Sequence, residues 1–314
     1  MVIGIDMMGG DYAPAQAVKG VKAFQERFPQ TPLCLFGDEA VLSPMLAQEQ
    51  VALENITVVH ASEQIGMHEH PTKALKEKPN SSIAIGFGWL SKGKIDSFLS
   101  AGNTGAMLVG THFSIKTLEG VIRPTISTII PKLDGGTALL LDVGLNADCK
   151  PELLNQFATM GSVYARVMLG IEQPSVGLIN VGEEETKGNA LAQATYPLLK
   201  DNKQIRFVGN VEGRDVLNGK ADVMVCDGFT GNIILKMAES LYDIACHQQL
   251  NNPYFNRFNF ENYGGTPVLG VAKPVIIGHG ISGEKAFLNM LCLAQDMTAK
   301  EVMEQMSLAL NAQA

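Results

Sequence analysis

The sequence predicts an α/β protein built on a mostly parallel sheet flanked by helices. Apolar runs of strand length alternate with amphipathic helical stretches from one end of the chain to the other. Several of these runs end in glycine-rich turns that lead directly into a helical pattern, as βα units do. Thirty-two glycines without a fixed period and 46% hydrophobic residues fit many such turns around a large core.

The elements follow in order. The apolar run 2–5 reads as a first strand, and Ile5-Asp6-Met7-Met8-Gly9-Gly10-Asp11 turns the chain into a helix over 15–28. Strands at 32–36 and 56–60 come next, then helices at 71–75 and 81–93. The strand 97–100 opens through Gly102-Asn103-Thr104-Gly105 onto a helix over 104–118. Runs 127–130 and 138–141 have no helix of any length between them, which predicts an antiparallel hairpin across 125–141. Helix 151–169, strand 176–179, helix 189–200, and strands 204–208 and 223–226 continue the alternation. Gly228-Phe229-Thr230-Gly231-Asn232 leads into a helix over 232–249. A strand at 275–277 and the turn Gly278-His279-Gly280-Ile281-Ser282-Gly283 precede a final helix over 285–311. Residues 1–314 read as one α/β catalytic domain, open to division into two lobes with a cleft between them by a hinge near residue 148.

Composition narrows the classes of function. A formal charge of −8 argues against binding nucleic acid or anionic lipid through bulk charge. No run approaches the roughly 18 apolar residues of a spanning helix, and Met1 leads straight into a strand, so neither anchor nor signal peptide is expected. Five scattered cysteines without C-x-x-C spacing suit a reducing, cytoplasmic compartment.

Glycine lets a backbone turn sharply and approach a ligand, and unpaired N–H groups at a helix start attract an anion. Repeated turns of this kind predict a cleft for an anionic substrate, phosphate first. Each of Asn103, Thr104, Thr230 and Asn232 has a plainer reading as a helix cap. Val181-Gly182-Glu183-Glu184-Glu185-Thr186-Lys187-Gly188-Asn189 also follows a strand. Its acidic residues can favour a charged Lys187, which could bind phosphate as a point charge and stabilise an oxyanion. His68-Glu69-His70 offers ligands spaced by two but no obvious third, so no metal is expected. Cys226, at a strand end, reads as a small buried residue ahead of an acyl-accepting thiol. The chain has no G-x-S-x-G elbow and no Walker lysine, and its one G-x-G-x-x-G spacing, Gly278-His279-Gly280-Ile281-Ser282-Gly283, opens the last helix with no later strand to carry the acidic residue of a dinucleotide unit, which disfavours a dehydrogenase. Lys73, Lys76 and Lys78, with Lys92 and Lys94, form the best basic patch for an acidic partner on this acidic chain.

The sequence resembles the phosphate acyltransferases of bacterial phospholipid synthesis, the PlsX family. The matching stretches are Ile5-Asp6-Met7-Met8-Gly9-Gly10-Asp11, Ser100-Ala101-Gly102-Asn103-Thr104-Gly105-Ala106 and Leu141-Asp142-Val143-Gly144-Leu145-Asn146. To these are added Asn180-Val181-Gly182-Glu183-Glu184-Glu185-Thr186-Lys187-Gly188, Gly209-Asn210-Val211-Glu212-Gly213-Arg214-Asp215, Cys226-Asp227-Gly228-Phe229-Thr230-Gly231-Asn232, Tyr263-Gly264-Gly265-Thr266-Pro267 and Gly278-His279-Gly280. They span nearly the whole chain in order.

The resemblance implies attack of inorganic phosphate on the thioester of a long-chain acyl-acyl carrier protein. Acyl phosphate then feeds a downstream glycerol-3-phosphate acyltransferase. It also implies a Rossmann-like three-layer α/β/α fold akin to phosphate acetyltransferases and isocitrate-dehydrogenase-like enzymes, a homodimer, and no metal or organic cofactor. The family's active-site lysine falls on Lys187 and its asparagine on Asn232. Asn103, Thr104, Gly105, Asp142, Asn146, Gly228, Thr230, Gly231 and His279 are expected around phosphate, with Lys73, Lys76 and Lys78 receiving the carrier protein. Segment 248–262 is shorter and richer in asparagine than in many members, which leaves peripheral membrane contact open. A short-chain acyl-CoA phosphotransferase and a non-catalytic lipid-synthesis scaffold are the alternative readings.

Overall fold

Parallel strands covered on both faces need apolar side chains at nearly every position. Ile3–Asp6 (β1) and Leu33–Gly37 (β2) meet that condition, with every residue buried. The structure, a computed structural model, describes residues 1–311. The chain divides into two compact units.

The first unit comprises Met1–Lys116, Phe260–Pro267 and Val271–Ala299. Its strands β1 and β2 are joined by Ile56–His60 (β3), Ser97–Ser100 (β4) and the last strand of the chain, Val275–Ile277 (β11). They lie in the order β3-β2-β1-β4-β11, and every pairing is parallel. Of these strands only the edge strand β3 is open to solvent, with no residue fully buried. Helices Ala15–Arg27 and Glu284–Ala299 pack on each other, as do Ser82–Ser91 and Thr104–Ser114. Phe36, Phe87 and Phe98 meet edge to face in the core between strands and helix.

The second unit comprises Thr117–Asn259, Val268–Gly270 and residues 300–311. Thr125–Pro131 (β5) and Thr137–Leu141 (β6) form the antiparallel hairpin that the missing helix predicts. Ser175–Ile179 (β7), Arg206–Val211 (β8) and Val223–Val225 (β9) complete a parallel run in the order β6-β9-β7-β8. Val268 and Leu269 of Thr266–Leu269 (β10) pair antiparallel with β5. Helix Pro151–Met168, buried along most of its length, packs on the helices Ala190–Asp201 and Val302–Asn311. Residue 148 lies inside this unit.

Among the departures from the sequence reading, three have a plain local cause. Glu39–Gln48 is a helix that begins where the Asp38 carboxylate accepts the Ala40 N–H. β10 went unread because Pro267 interrupts a run of only four residues. The final helix is two helices, since Glu301 turns into left-handed backbone at φ 51° with no glycine or proline to announce the break.

Candidate active site

In a parallel sheet the carboxyl ends of the strands open onto loops, and neighbouring strands bring their loops together. In the second unit β6, β9 and β7 are consecutive neighbours. Their ends carry three of the segments singled out in the sequence, 142–146, 226–232 and 180–189.

The first segment is built around a buried carboxylate. Asp142 accepts hydrogen bonds from the backbone N–H of Gly144 (2.9 Å), Leu145 (2.9 Å) and Asn146 (2.8 Å), and from the Asn146 side-chain amide (2.6 Å). The same amide donates to the Pro124 carbonyl at 2.9 Å. Burial pushes the Asp142 carboxyl above its ordinary value, against the pull of those donors. Asp142 and Asn146 therefore shape the turn from within. The nest of N–H groups that could take an anion is already filled by an acid of the protein's own.

The second segment starts a helix one turn earlier than its pattern suggests, at Gly228–His247. Asp227 is the cap: its carboxylate accepts the Thr230 N–H (2.8 Å) and the Thr230 hydroxyl (3.0 Å). Gly228 donates its N–H to the Asn146 carbonyl at 2.7 Å. The helix start lies so close to the 142–146 turn that a β-carbon on Gly231 would overlap the Asp142 carbonyl oxygen. Asn232, exposed on the following turn, faces that loop as well. A β-carbon added to Gly144 would stand 3.4 Å from the Asn232 Oδ1.

The third segment holds Lys187. Its carbonyl accepts from the Asn180 side chain (3.1 Å), and Asn210 steadies the same loop by donating to the Glu184 carbonyl (2.9 Å). Gly188 sits at φ 99°, where its missing β-carbon leaves room for the Asn180 side chain. Glu183 and Glu185 do not serve Lys187 as the sequence suggested. Glu183 pairs with Lys220 at 2.6 Å and Glu185 with Lys200 at 3.0 Å, raising both lysine pKa values. Among the described residues Lys187 carries no ion pair, and it is exposed. Glu183, Glu212 and Asp215 bring carboxylates together, but the Lys220 ammonium already sits between two of them.

The second and third segments border one cavity of about 330 Å³. Asn180, Val181 and Asn189 flank it on one side, and Asp227, Thr230 and Ile234 on the other. Cys226 lies on its floor, 3% exposed, with burial first and then Asp227 and Asp142 pushing its thiol well up. It is a small residue buried just past the end of β9. Cys149 nearby is pushed up to about 12, chiefly by burial.

In the first unit, Asn103 is committed on every side. Its Oδ1 caps Ala106 (2.9 Å), and its amide donates to the carbonyls of Gly66 (3.0 Å), Met67 (3.2 Å) and Glu69 (3.0 Å). Thr104 is exposed as the first residue of the helix, and Gly105 gives way to the Pro71 ring. His279 accepts the Ile281 N–H at Nδ1 (3.4 Å) and lies against the Phe260 ring at 4.9 Å. Ser282, 1% exposed, donates to the His279 carbonyl. In the basic window Lys78 bonds Glu69 at 2.5 Å and Lys73 stands 3.9 Å from the Glu77 carboxylate, while both Lys73 and Lys76 are exposed. Glu69, between the two histidines, is thereby held below its usual carboxylate range, and it also accepts the Gly66 N–H.

The fatty acid synthesis protein family matches residues 1–305. The phosphate acyltransferase of Thermoanaerobacterium thermosaccharolyticum is 42% identical over 321 residues, covering 96% of this chain and 94% of that protein. Its namesake from Dictyoglomus turgidum is 41% identical, covering 99% and 98%. The chain belongs to the PlsX-type phosphate acyltransferases. As a member of that family it is an acyltransferase of lipid synthesis.

The fold of this acyltransferase is also that of a Streptococcus pyogenes phosphotransacetylase, with a TM-score of 0.68 at 15% identity over 96% of this chain and 94% of the other. An Enterococcus faecalis branched-chain phosphotransacylase gives 0.62 at 15% identity, covering 95% and 99%. Among its described residues no helix is long and apolar enough to cross a membrane. Site residues missed in the acyltransferase sequence are Asp227, Asn180 and Asn210. Asp227 carried a readable signal, a cap residue three positions before Thr230; the other two act only through partners that the fold supplies.

Proposed function

We propose that this acyltransferase catalyses attack of inorganic phosphate on the thioester of a long-chain acyl carrier protein. A phosphate oxygen forms a bond to the acyl carbon while the carbon–sulfur bond breaks. The thiolate leaves on the carrier and takes up a proton. Phosphate is already ionised at neutral pH, so the protein needs no strong base. It must orient phosphate, exclude water and stabilise the charge that develops on the thioester oxygen. Lys187 supplies the cation and Asn232 the carboxamide that donates to the thioester carbonyl or a phosphate oxygen.

The observation that carries this reading is the meeting of the loop bearing Lys187 and the helix start bearing Asn232 at neighbouring strand ends, beside a hollow that neither of the two side chains lines. The unpaired state of Lys187 supports it further, because an ammonium already in an ion pair would have to give up a partner to bind phosphate. Asp142, Asn146, Gly228, Thr230 and Gly231 hold the wall rather than the anion, and Asn103, Thr104, Gly105 and His279 shape loops of the first unit. Lys73 and Lys76 are the lysines proposed to receive the acidic carrier, since Lys78 is closely paired with Glu69 and the Lys73–Glu77 pair is long and exposed. A homodimer fits the exposed apolar stripe Phe229, Ile233, Met237 and Ile244 on helix Gly228–His247.

The test is release of carrier protein from palmitoyl-carrier protein as a function of added orthophosphate. Lys187→Ala and Asn232→Ala are each expected to lower kcat by about 10²–10³, with Tm unchanged. Near wild-type turnover in both folded variants, or release that ignores phosphate, would remove the proposal.

A further inference from the structure

We infer that the cavity beside the candidate site is an acyl-chain pocket that sets chain-length preference. The inference rests on the thioester reading above.

The lining decides the class of ligand. Leu154, Leu178 and Cys226 form a floor that is almost wholly buried, at 2%, 1% and 3% exposure, and Leu191, Ala192 and Ile234 rise as walls. No lysine or arginine lines the cavity, and the one ionisable acid there, Asp227, is turned to the Thr230 N–H and hydroxyl. An anion would find no counter-charge and a carboxylate nearby, so phosphate does not belong inside. A neutral aliphatic chain gains by displacing water from the floor. Asn180, Asn189 and Thr230 add only neutral polar groups to the lining, and each is already bonded within its own loop, to the Lys187 carbonyl, the Ala192 N–H and Asp227 respectively. Thr230 and Ile234 share the cavity side of helix Gly228–His247 while Asn232 lies on its other side, toward the 142–146 turn, so a chain seated here rounds the first turn of that helix to bring its carbonyl to the proposed chemistry.

Size decides how much of the chain enters. At about 330 Å³ the cavity lies at the small end of ligand sites, which run from roughly 300 to 1,000 Å³. It holds one stretch of a long chain, and the remainder passes out over Val181, which is 79% exposed at the rim. Each methylene added inside should raise kcat/KM about fourfold, and methylenes beyond the filled volume should add little.

The test is a series of acyl thioesters from butyryl to palmitoyl, with wild type, Leu191→Trp and Leu191→Ala, and with Ile234→Phe as an independent filling variant should the tryptophan fail to fold. Wild type is expected to climb and then level off. Leu191→Trp and Ile234→Phe should level off at shorter chains and lose at least about tenfold in the ratio of long- to short-chain kcat/KM, while Leu191→Ala should extend the climb. Calorimetric titration with non-hydrolysable palmitoyl- and acetyl-pantetheine amides reads the pocket without turnover. Wild type should prefer the palmitoyl amide, and the filling variants should lose that preference. A profile and a binding preference unaltered in folded filling variants overturn the pocket while leaving the phosphate chemistry intact. Failure of wild type to turn over any thioester overturns the reaction instead, and the amide titration still decides the pocket.

Discussion

Replacing Gly231 with alanine tests how closely the candidate site is assembled. The new β-carbon would overlap the Asp142 carbonyl oxygen and stand 2.9 Å from its carbon and 3.1 Å from the Cys226 Sγ. Ordinary contacts lie near 3.5–4.0 Å, and the Asp142 atoms are main chain, so no rotamer change relieves the clash. The helix start must withdraw from the 142–146 turn by on the order of 1 Å. Overpacking of this kind costs roughly 1–3 kcal/mol, or about 2–12 °C in Tm for a unit of this size. Asn232 is the next residue along the same helix, and a displacement of about 1 Å in a positioning group costs on the order of 10²-fold in rate. Phosphate-dependent carrier release and differential scanning calorimetry measure the two effects. Gly88→Ala is the control, since a β-carbon there meets nothing within 4 Å on the helix Ser82–Ser91 and should stabilise by roughly 0.5–1 kcal/mol. A Gly231→Ala protein with wild-type Tm and kcat within about twofold would refute the close-packed assembly.

Asn103→Ala removes a helix cap and the donor to three carbonyls, so urea unfolding should show a loss of about 2–4 kcal/mol, with faster hydrogen exchange over residues 66–70. Native-state alkylation near neutral pH should modify Cys246 first, because it alone of the five is exposed and the thiols of Cys34, Cys149, Cys226 and Cys292 are pushed up by burial. Cys226→Ala should accordingly keep its turnover; total loss in a folded protein would point to an acyl-enzyme instead. At Asp222 burial acts to raise the carboxyl, yet Lys132 at 2.6 Å and Ser175 together hold it below its ordinary 3.8. Its stabilising contribution is therefore present at neutral pH and fades as pH falls below 3.8 toward the depressed value. Asp222→Asn, which leaves Lys132 buried without its partner, should cost about 3–5 kcal/mol at pH 7 and flatten the fall of Tm in that acid window.

The fold was legible where burial writes itself as a continuous apolar run. β1, β2 and β4 are buried at every residue, and each was readable within a residue or so. β10 and the helix Glu39–Gln48 were not, because Pro267 and Pro44 interrupt patterns already short, and what stabilises them is pairing and packing with distant chain. The strand pairings and the division into units depend on such contacts and leave no local mark. At the site, Lys187 and Asn232 could be located by their loops, but the partners of Glu183 and Glu185 could not. Lys220 lies 37 residues from Glu183 in sequence, and Lys200 lies 15 from Glu185.

The glycine turns first suggested an anion held by helix N-termini, and the hydrogen bonds redirect that idea. Asp142 fills the nest after β6, Asp227 takes the Thr230 N–H after β9, and Asn189 takes the Ala192 N–H at the helix following β7. The first unit repeats the device: Asp6, wholly buried and pushed upward by that burial, accepts the Ser100 hydroxyl (2.6 Å) and the Met8 N–H (3.0 Å). A buried acid in such a turn satisfies its donors permanently and leaves none for a second anion. Internal side chains thus fix the loops, and on the proposed reading recognition of a mobile dianion passes to side chains that project beyond them. Within the second unit the exposed Lys187 and Asn232 are the groups so placed. For the proposed reaction this separation is useful, since a site rigid before phosphate arrives loses little order in binding it, and its one unpaired ammonium remains to meet the charge that forms as the thioester opens.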